Sequence, residues 1–124
     1  MYMLEYVGTI PLGTTIQPGT RIPITAAGLV LVGKARPSQD AAGANLIALG
    51  DTTVSSGRYG HCRIWLRSAD VVVHDCGSDN GTWIAQGSAS RPAGSVGAPE
   101  IVGDGTELLI GRCRFRIVAT REAE

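Results

Sequence analysis

Two short stretches of the sequence hold side chains that could do chemistry. The first, VSSGRYGHCRI at residues 54–64, places Ser55 and Ser56 ahead of His61, and the second, DCGSDNGTWI, begins at Asp75. Either serine could act as a nucleophile with His61 as its base and Asp75 orienting the imidazole, as in a hydrolase triad. Such a serine needs a sharp elbow and an oxyanion hole, and the chain has no G-x-S-x-G motif. A Ser/His hydrolase therefore stays a minor hypothesis, and the chain is not expected to be an enzyme.

The histidines and cysteines do not form a metal-binding pattern. His61 and Cys62 are adjacent in sequence, so they would point to opposite faces of a strand. His74 and Cys76 share a parity, but two ligands are too few for a zinc site. The cysteines are widely spaced and include no C-x-x-C motif, which is typical of a reducing cytoplasm. The sequence predicts neither a metal nor a cofactor.

The dipeptide Asn80-Gly81 in DCGSDNGTWI indicates a tight turn. It lies between two strand-like runs, DVVVHD and GTWIAQ. Tight turns between strands often require positive φ angles, which asparagine and glycine tolerate. On its own, this turn would have only a structural role. The residues around it decide whether it also has a functional one.

The elements that position these residues are predicted to be short strands. In RCRFRIV the arginines share one parity and the cysteine, phenylalanine and isoleucine the other, which is typical of a half-buried strand. HCRIWLR alternates in the same way, and DVVVHD, GTWIAQ, TELLIG, MLEYVG, RIPIT, GLVLVG and NLIALG indicate further strands. Nine or more short strands in about a hundred residues predict an antiparallel β-sandwich or barrel. Residues 87–99, GSASRPAGSVGAP, are predicted to form a surface loop.

The composition argues against several classes of partner. The 124 residues carry a formal net charge of zero, which disfavours nucleic-acid binding and a polybasic membrane anchor. The face of RCRFRIV that carries the arginines has no aromatic residue on which bases could stack, so a solvated strand face is expected there. No run approaches the roughly 18 apolar residues of a membrane helix. The sequence predicts one cytoplasmic domain over residues 1–124, without nucleic-acid binding or membrane insertion.

The spacing of several motifs resembles the forkhead-associated (FHA) domain. In that family a Gly-Arg pair ends an early strand, and a Ser-x-x-His segment precedes a later one. An Asp-x-x-Ser-x-Asn-Gly-Thr turn follows, and a Gly-Asp pair leads to the final hairpin. The matching positions here are Gly33-Lys34, Ser55 with His61, Asp75 with Ser78, Asn80, Gly81 and Thr82, and Gly103-Asp104 with Gly111. The order runs from about residue 28 to residue 119, which leaves 120–124 as a polar C-terminal tail.

The resemblance implies a fold, a partner and a set of site residues. The fold is an all-β antiparallel sandwich of about eleven strands, and the partner is a phosphothreonine-containing protein in a Ser/Thr kinase pathway. A phosphothreonine carries about −1.5 to −2 charges, which cations, hydroxyls, amides and backbone N–H groups can hold. The residues expected at the peptide are Lys34, Arg36, Ser55, Ser56, Arg58, Asp79, Asn80 and Thr82. Loop support is expected from Gly33, His61 and Gly81.

The charged positions depart from the family pattern. Lys34 replaces the family arginine and can bind phosphate only as a point charge, without the planar two-pronged geometry. Arg36 or Arg58 could take its place. Asp79 stands just before the asparagine, and its carboxylate is unfavourable beside a phosphate unless a cation neutralises it.

The serine loop leaves the function open between two versions. S-S-G-R-Y-G-H is about three residues longer than the usual pattern, so either Ser55 or Ser56 could face the ligand. In one version the domain binds phosphothreonine. In the alternative it has lost phosphate recognition and mediates phosphate-independent protein interaction or self-association.

Overall fold

The computed structural model describes residues 1–9, 18–33, 45–49, 54, 60–76, 78, 81–86, 89–92 and 99–120. These residues form eleven β-strands: β1 (Tyr2–Thr9), β2 (Arg21–Ile24), β3 (Leu29–Val32), β4 (Asn45–Ala48), β5 (Cys62–Arg67), β6 (Asp70–Asp75), β7 (Thr82–Gln86), β8 (Ala89–Pro92), β9 (Glu100–Val102), β10 (Glu107–Ile110) and β11 (Cys113–Ala119). Within these ranges there is no helix that could span a membrane.

The strands form two sheets that pack face to face. One sheet has the order β2-β1-β11-β10-β7-β8, and the other has the order β4-β3-β5-β6-β9. The predicted all-β sandwich is therefore confirmed. Among the described pairs, β3 and β4 run parallel and the others antiparallel. Residue alternation reports which face of a strand is buried and carries no information about strand direction, so the parallel pair could not be predicted.

The core lies between the sheets and is built from alternate residues. In β11 the cysteine, phenylalanine and isoleucine of RCRFRIV are fully buried, as their shared parity predicts. The ring of Phe115 packs against that of Tyr6 on β1, with 5.2 Å between centroids. Ile64 and Val73 complete the same cluster from the second sheet.

The outward face of β11 carries the arginine stripe, and acidic residues of the flanking strands line it. Arg116 lies between two strands, with Nη1 3.5 Å from Glu5 Oε1 and Nη2 3.2 Å from Glu107 Oε2. Arg21 of β2 also contacts Glu5, at 3.2 Å, and Arg114 contacts Glu107 at 3.8 Å. The charges on this face are therefore partly compensated within the sheet.

The structure corrects the loop prediction for residues 87–99. Within that segment, β8 pairs antiparallel with β7, from Gln86 opposite Ala89 to Trp83 opposite Pro92. The sequence ASRP contains no β-branched or aromatic residue, so strand propensity gives no signal for it. Its strand conformation comes from backbone pairing at the edge of the sheet. The three-residue β9, which pairs with β6, was likewise not predicted.

The strand registers decide which residues meet at each end of the sandwich. At one end, Cys62 of β5 lies opposite Asp75 of β6, and Thr82 of β7 lies opposite Ile110. We call this the His61 end, because His61 directly precedes β5. The opposite end carries both termini of the described fold, where the backbone N–H of Thr120 donates to the carbonyl of Met1 at 2.8 Å.

Candidate functional site

His61 joins three segments at the His61 end. Its side chain is 0% exposed. Its backbone N–H donates to the carbonyl of Leu31 at 2.8 Å, and its carbonyl accepts from the N–H of Cys76 at 2.9 Å. Its ring Nε2 lies 2.9 Å from the carbonyl oxygen of Gly81. One buried imidazole therefore links the end of β3, the end of β6 and the turn before β7.

Asp75 braces the same turn from its other side. One carboxylate oxygen, Oδ2, accepts from the backbone N–H of Ser78 at 3.1 Å. The other, Oδ1, accepts from Ser78 Oγ at 2.5 Å and from Thr82 Oγ1 at 2.8 Å. Hydrogen bonds to a carboxylate are stronger than those between neutral groups. The segment between Asp75 and Thr82 is therefore fixed at both ends.

Asp75 and His61 are themselves neighbours. Asp75 Oδ1 lies 4.0 Å from His61 Nε2, and the aspartate side chain is 13% exposed. The carboxylate therefore lies between the buried imidazole and the two described residues that it holds, Ser78 and Thr82.

Two glycines at this end adopt backbone conformations that other residues rarely adopt. Gly81 has a φ of +77°, in agreement with the positive φ expected of an Asn-Gly turn. Gly60 has a φ of +79°, and a Cβ placed on it would lie 2.6 Å from Val30 Cγ1. The chain entering β5 thus passes directly over β3, with no space for a side chain.

The end of β3 is held by a further backbone contact. The carbonyl of Val32 accepts from the N–H of Leu49 at 2.8 Å, and Gly33, which follows Val32, is buried. Gly33 directly precedes Lys34 in the chain. The backbone immediately before Lys34, the predicted cation, is therefore buried and hydrogen-bonded.

The comparisons with known proteins identify the family. The family model described as the FHA domain matches residues 30–111, about two-thirds of the chain. The chain belongs to the FHA family. Members of this family are, in general, phosphopeptide-binding modules. No curated protein sequence matches this FHA domain significantly.

Solved FHA domains share its fold at low sequence identity. The FHA domain of the CT664 protein from Chlamydia trachomatis aligns with a TM-score of 0.66 and 16% identity, over 97% of this chain and 98% of that one. A structure described as an analysis of phosphothreonine-dependent FHA domain interactions aligns with a TM-score of 0.64 and 18% identity, over 98% of each chain. The FhaA FHA domain, complexed with the intracellular domain of Rv3910, gives 0.60 and 18%, over 94% and 99%.

Most of the residues expected at the peptide lie outside the described part of the FHA domain. They are Lys34, Arg36, Ser55, Ser56, Arg58, Asp79 and Asn80. An ion pair between Asp79 and Arg36 or Arg58, which would favour the phosphate-independent version, also concerns residues outside that part. The expected supporting residues Gly33, His61 and Gly81 are described, and the structure brings His61 and Gly81 into contact.

Of the residues expected to contact the peptide, Thr82 is the one within the described part of the chain. Its side chain supports the turn. It is 2% exposed, and its hydroxyl donates to Asp75 Oδ1 at 2.8 Å. A side chain so buried presents almost no surface to a peptide. In this structure the Thr82 side chain holds the turn from inside the fold and does not line its outer surface.

The arrangement around His61 differs from that of a hydrolase triad. In such a triad one ring nitrogen faces the aspartate and the other faces the nucleophile. Here Nε2 lies against the Gly81 carbonyl and near Asp75, and the ring is fully buried. The geometry therefore suits His61 to holding the turn.

Cys62 at this end is fully buried and belongs to the apolar core. Burial raises the pKa of the Cys62 thiol well above its ordinary range, and the nearby Cys76 thiol adds to this effect. Such a thiol stays protonated and is a poor metal ligand. Within the described ranges, no group of three or more His, Cys, Asp or Glu side chains could hold a metal ion.

The structure adds Asp75 and Ser78 to the supporting residues expected from the sequence. Both residues fit the family turn, and the signal for their role is the D-x-x-S spacing itself. An aspartate commonly accepts from backbone and hydroxyl groups a few residues further along the chain. The spacing could therefore have predicted the brace.

Proposed function

We propose that this FHA domain binds phosphothreonine-containing segments of a partner protein through the loops at the His61 end. The observation that carries the proposal is the brace around the Asn80-Gly81 turn. Asp75, Thr82 and His61 hold that turn by hydrogen bonds within the domain itself. A preorganised loop loses less conformational entropy on binding than a flexible one.

The chemistry of the neighbouring residues suits a doubly charged phosphate. Lys34 supplies a cation immediately after buried Gly33, and Ser55 or Ser56 supplies a hydroxyl. Asn80 supplies an amide for the backbone of the bound segment. Together they offer one cation and several donors, which is what a phosphothreonine requires.

The remaining residues of the predicted site act in two ways. Arg36 and Arg58 supply further positive charge to the phosphate, which outweighs its repulsion by Asp79. Gly33, His61 and Gly81 support the loops, and Thr82 joins them because its hydroxyl donates to Asp75. In this proposal Thr82 does not touch the peptide.

The partner is a protein modified by a Ser/Thr kinase, because phosphothreonine arises from that chemistry. Two structural neighbours bear on the kind of partner: one is described by its phosphothreonine-dependent interactions, and the other is complexed with an intracellular domain. We place this domain in the cytoplasm and take residues 1–124 as one FHA module without cofactor.

Calorimetric titration with phosphothreonine peptides tests the proposal. A degenerate peptide library and its unphosphorylated counterpart are titrated into the wild type, Lys34→Ala and Asn80→Ala. We expect binding only to the phosphorylated library, with a loss of about tenfold or more in each variant, since hydrogen bonds to charged groups contribute about 1.5–3 kcal/mol. Arg67→Ala is the matched control, because Arg67 is an exposed cation in the β5–β6 hairpin at the opposite end.

The same titration separates the alternatives. Equal binding of the two libraries would overturn phosphothreonine recognition and favour phosphate-independent interaction. Sedimentation of the unliganded domain then tests self-association. An esterase activity abolished by His61→Ala in a folded protein would instead support the hydrolase.

A further inference from the structure

Trp83 is a large aromatic side chain left partly exposed beside the proposed site. Among the described residues, the strongly exposed large hydrophobic side chains are Met1 at 64%, Ile101 at 55% and Trp83 at 40%. Met1 lies at the opposite end of the sandwich, and Ile101 lies on edge strand β9 of the other sheet. Trp83 alone of these three follows the braced turn directly in sequence.

The indole ring borders Gly81, the residue that follows Asn80 in the sequence. A Cβ placed on Gly81 would lie 3.4 Å from Trp83 Nε1, so the ring edge packs beside the Gly81 backbone. The carbonyl of Gly81 is in turn held by His61. The ring therefore lies beside the residue whose carbonyl contacts His61.

The exposed surface continues from Trp83 across the sheet. Leu109 of β10 lies opposite Trp83, and Arg114 of β11 lies opposite Leu109. Leu108 and Ile110 are fully buried, so the half-buried Leu109 faces outward on the same side as Trp83. We call Trp83 and Leu109 the apolar shelf, and Arg114 marks its far border.

The shelf has the chemistry of a contact for a peptide side chain. An exposed tryptophan lacks the stabilising free energy that burial of its large apolar surface would give. Tryptophan is enriched at the centres of binding interfaces because it offers a large, rigid area with few rotatable bonds. An extended peptide advances about 3.3 Å per residue. A segment held at the Asn80-Gly81 turn would therefore reach the shelf within a few residues of its phosphothreonine.

We propose that the apolar shelf of Trp83 and Leu109 selects a large apolar or aromatic residue near the phosphothreonine of the bound segment. This inference rests on the proposed phosphothreonine binding and adds the specificity that accompanies it. Lys34 and Asn80 hold the phosphate and the peptide backbone, and the shelf distinguishes one phosphorylated partner from another.

A peptide array tests the shelf separately from the phosphate site. Each position near the phosphothreonine is varied, and binding profiles are measured for the wild type, Trp83→Ala, Trp83→Phe and Ile101→Ala. We expect the wild type to prefer a large apolar or aromatic residue at one position by about tenfold. Trp83→Ala abolishes this preference but keeps the preference for phosphorylated peptide. Trp83→Phe retains most of it, and Ile101→Ala, an exposed apolar control on the other sheet, leaves it unchanged.

Fluorescence gives a second measurement that a purely structural role would not change. The chain has two tryptophans, so Trp65→Phe leaves Trp83 as the single reporter. We expect a selected phosphopeptide to shift the Trp83 emission and to protect it from acrylamide quenching. A phosphopeptide with glycine at the selected position binds more weakly and protects less.

The outcomes distinguish the two proposals. A wild type that does not discriminate phosphorylated from unphosphorylated peptide overturns phosphothreonine binding and the shelf with it. A wild type that requires phosphate, with an identical flanking preference in Trp83→Ala, overturns the shelf alone. Thermal unfolding of each variant verifies that the protein is folded under the assay conditions.

Discussion

Asp75 concentrates the polar contacts of the turn in one carboxylate. Its two oxygens accept from the backbone and hydroxyl of Ser78 and from the hydroxyl of Thr82. Because the carboxylate lies between two strands, its removal leaves several donors unsatisfied at once. Its contribution to stability should therefore exceed that of an ordinary surface aspartate.

Asp75→Asn should lower the free energy of unfolding by about 2–3 kcal/mol, because an amide replaces a charged acceptor. Asp70→Asn is the matched control, since Asp70 is an exposed aspartate at the other end of the same strand. That control should stay within about 0.5 kcal/mol of the wild type. Urea denaturation at neutral pH measures both variants. Equal losses in the two would contradict the brace.

Cys62 should make the stability of the domain fall at alkaline pH. Its pKa is raised above the ordinary value of 9.0, mainly by burial, so the native thiol keeps its proton while the unfolded thiol ionises above pH 9.0. The stability contributed by the neutral thiol is complete below pH 9.0. It then decreases by up to about 1.4 kcal/mol per pH unit.

Urea denaturation under reducing conditions, from about pH 7 to about pH 11, measures this decrease on either side of the ordinary thiol pKa of 9.0. Cys62→Ala should show a shallower alkaline decline than the wild type. Cys76→Ala should keep most of the decline, because burial, and not the Cys76 thiol, is the main cause of the raised Cys62 pKa. If the free energy of unfolding falls equally with pH in the wild type and Cys62→Ala, Cys62 is not the cause of the alkaline loss of stability.

The chain entering β5 lies close against a neighbouring strand. Gly60 passes over β3 with no space for a Cβ, as its 2.6 Å distance to Val30 Cγ1 shows. Gly105 has a similar φ of +84°, but no atom lies within 4 Å of the Cβ position. Substitutions at these two glycines therefore distinguish the cost of a positive φ from the cost of a methyl group that has no space.

Gly105→Ala should cost about 1–2 kcal/mol of stability through the positive φ alone. Gly60→Ala should cost about 1–3 kcal/mol more, because the added methyl group must displace β3. It should also weaken phosphopeptide binding, since Gly60 precedes His61. Chemical denaturation and calorimetry give the two values for each variant. The overpacking argument fails if both substitutions destabilise equally.

Much of the fold was predictable from the sequence, for identifiable reasons. Nine strands carry β-branched, aromatic or alternating residues, and the structure contains all of them. β8 and β9 were missed because their conformation depends on pairing with β7 and β6, which local sequence does not reveal. For the site, the motif located His61 and Gly81, but the burial of Thr82 depends on its distance from Asp75 in the folded chain.

Over the whole molecule, the proposed site and the described chain termini lie at opposite ends. Joining residue 124 to residue 1 through a flexible linker, and opening the chain between Ser68 and Ala69, should preserve both fold and peptide binding. Both residues are exposed in the β5–β6 turn, far from His61. A second permutant, opened after Ser78, should lose binding because it cuts the braced turn. Circular dichroism and calorimetry measure the two permutants, and equal binding by both would contradict the importance of the turn.

The pairing of β1 with β11 also determines how the domain responds to mechanical force. The strands are antiparallel, and Met1 and Thr120 meet at the same end of the sandwich. Tension applied between these residues therefore pulls along the hydrogen bonds, which lie perpendicular to the strands. It opens them one after another like a zipper instead of shearing them together. Under such a load β1 and β11 should separate first, from the end opposite His61.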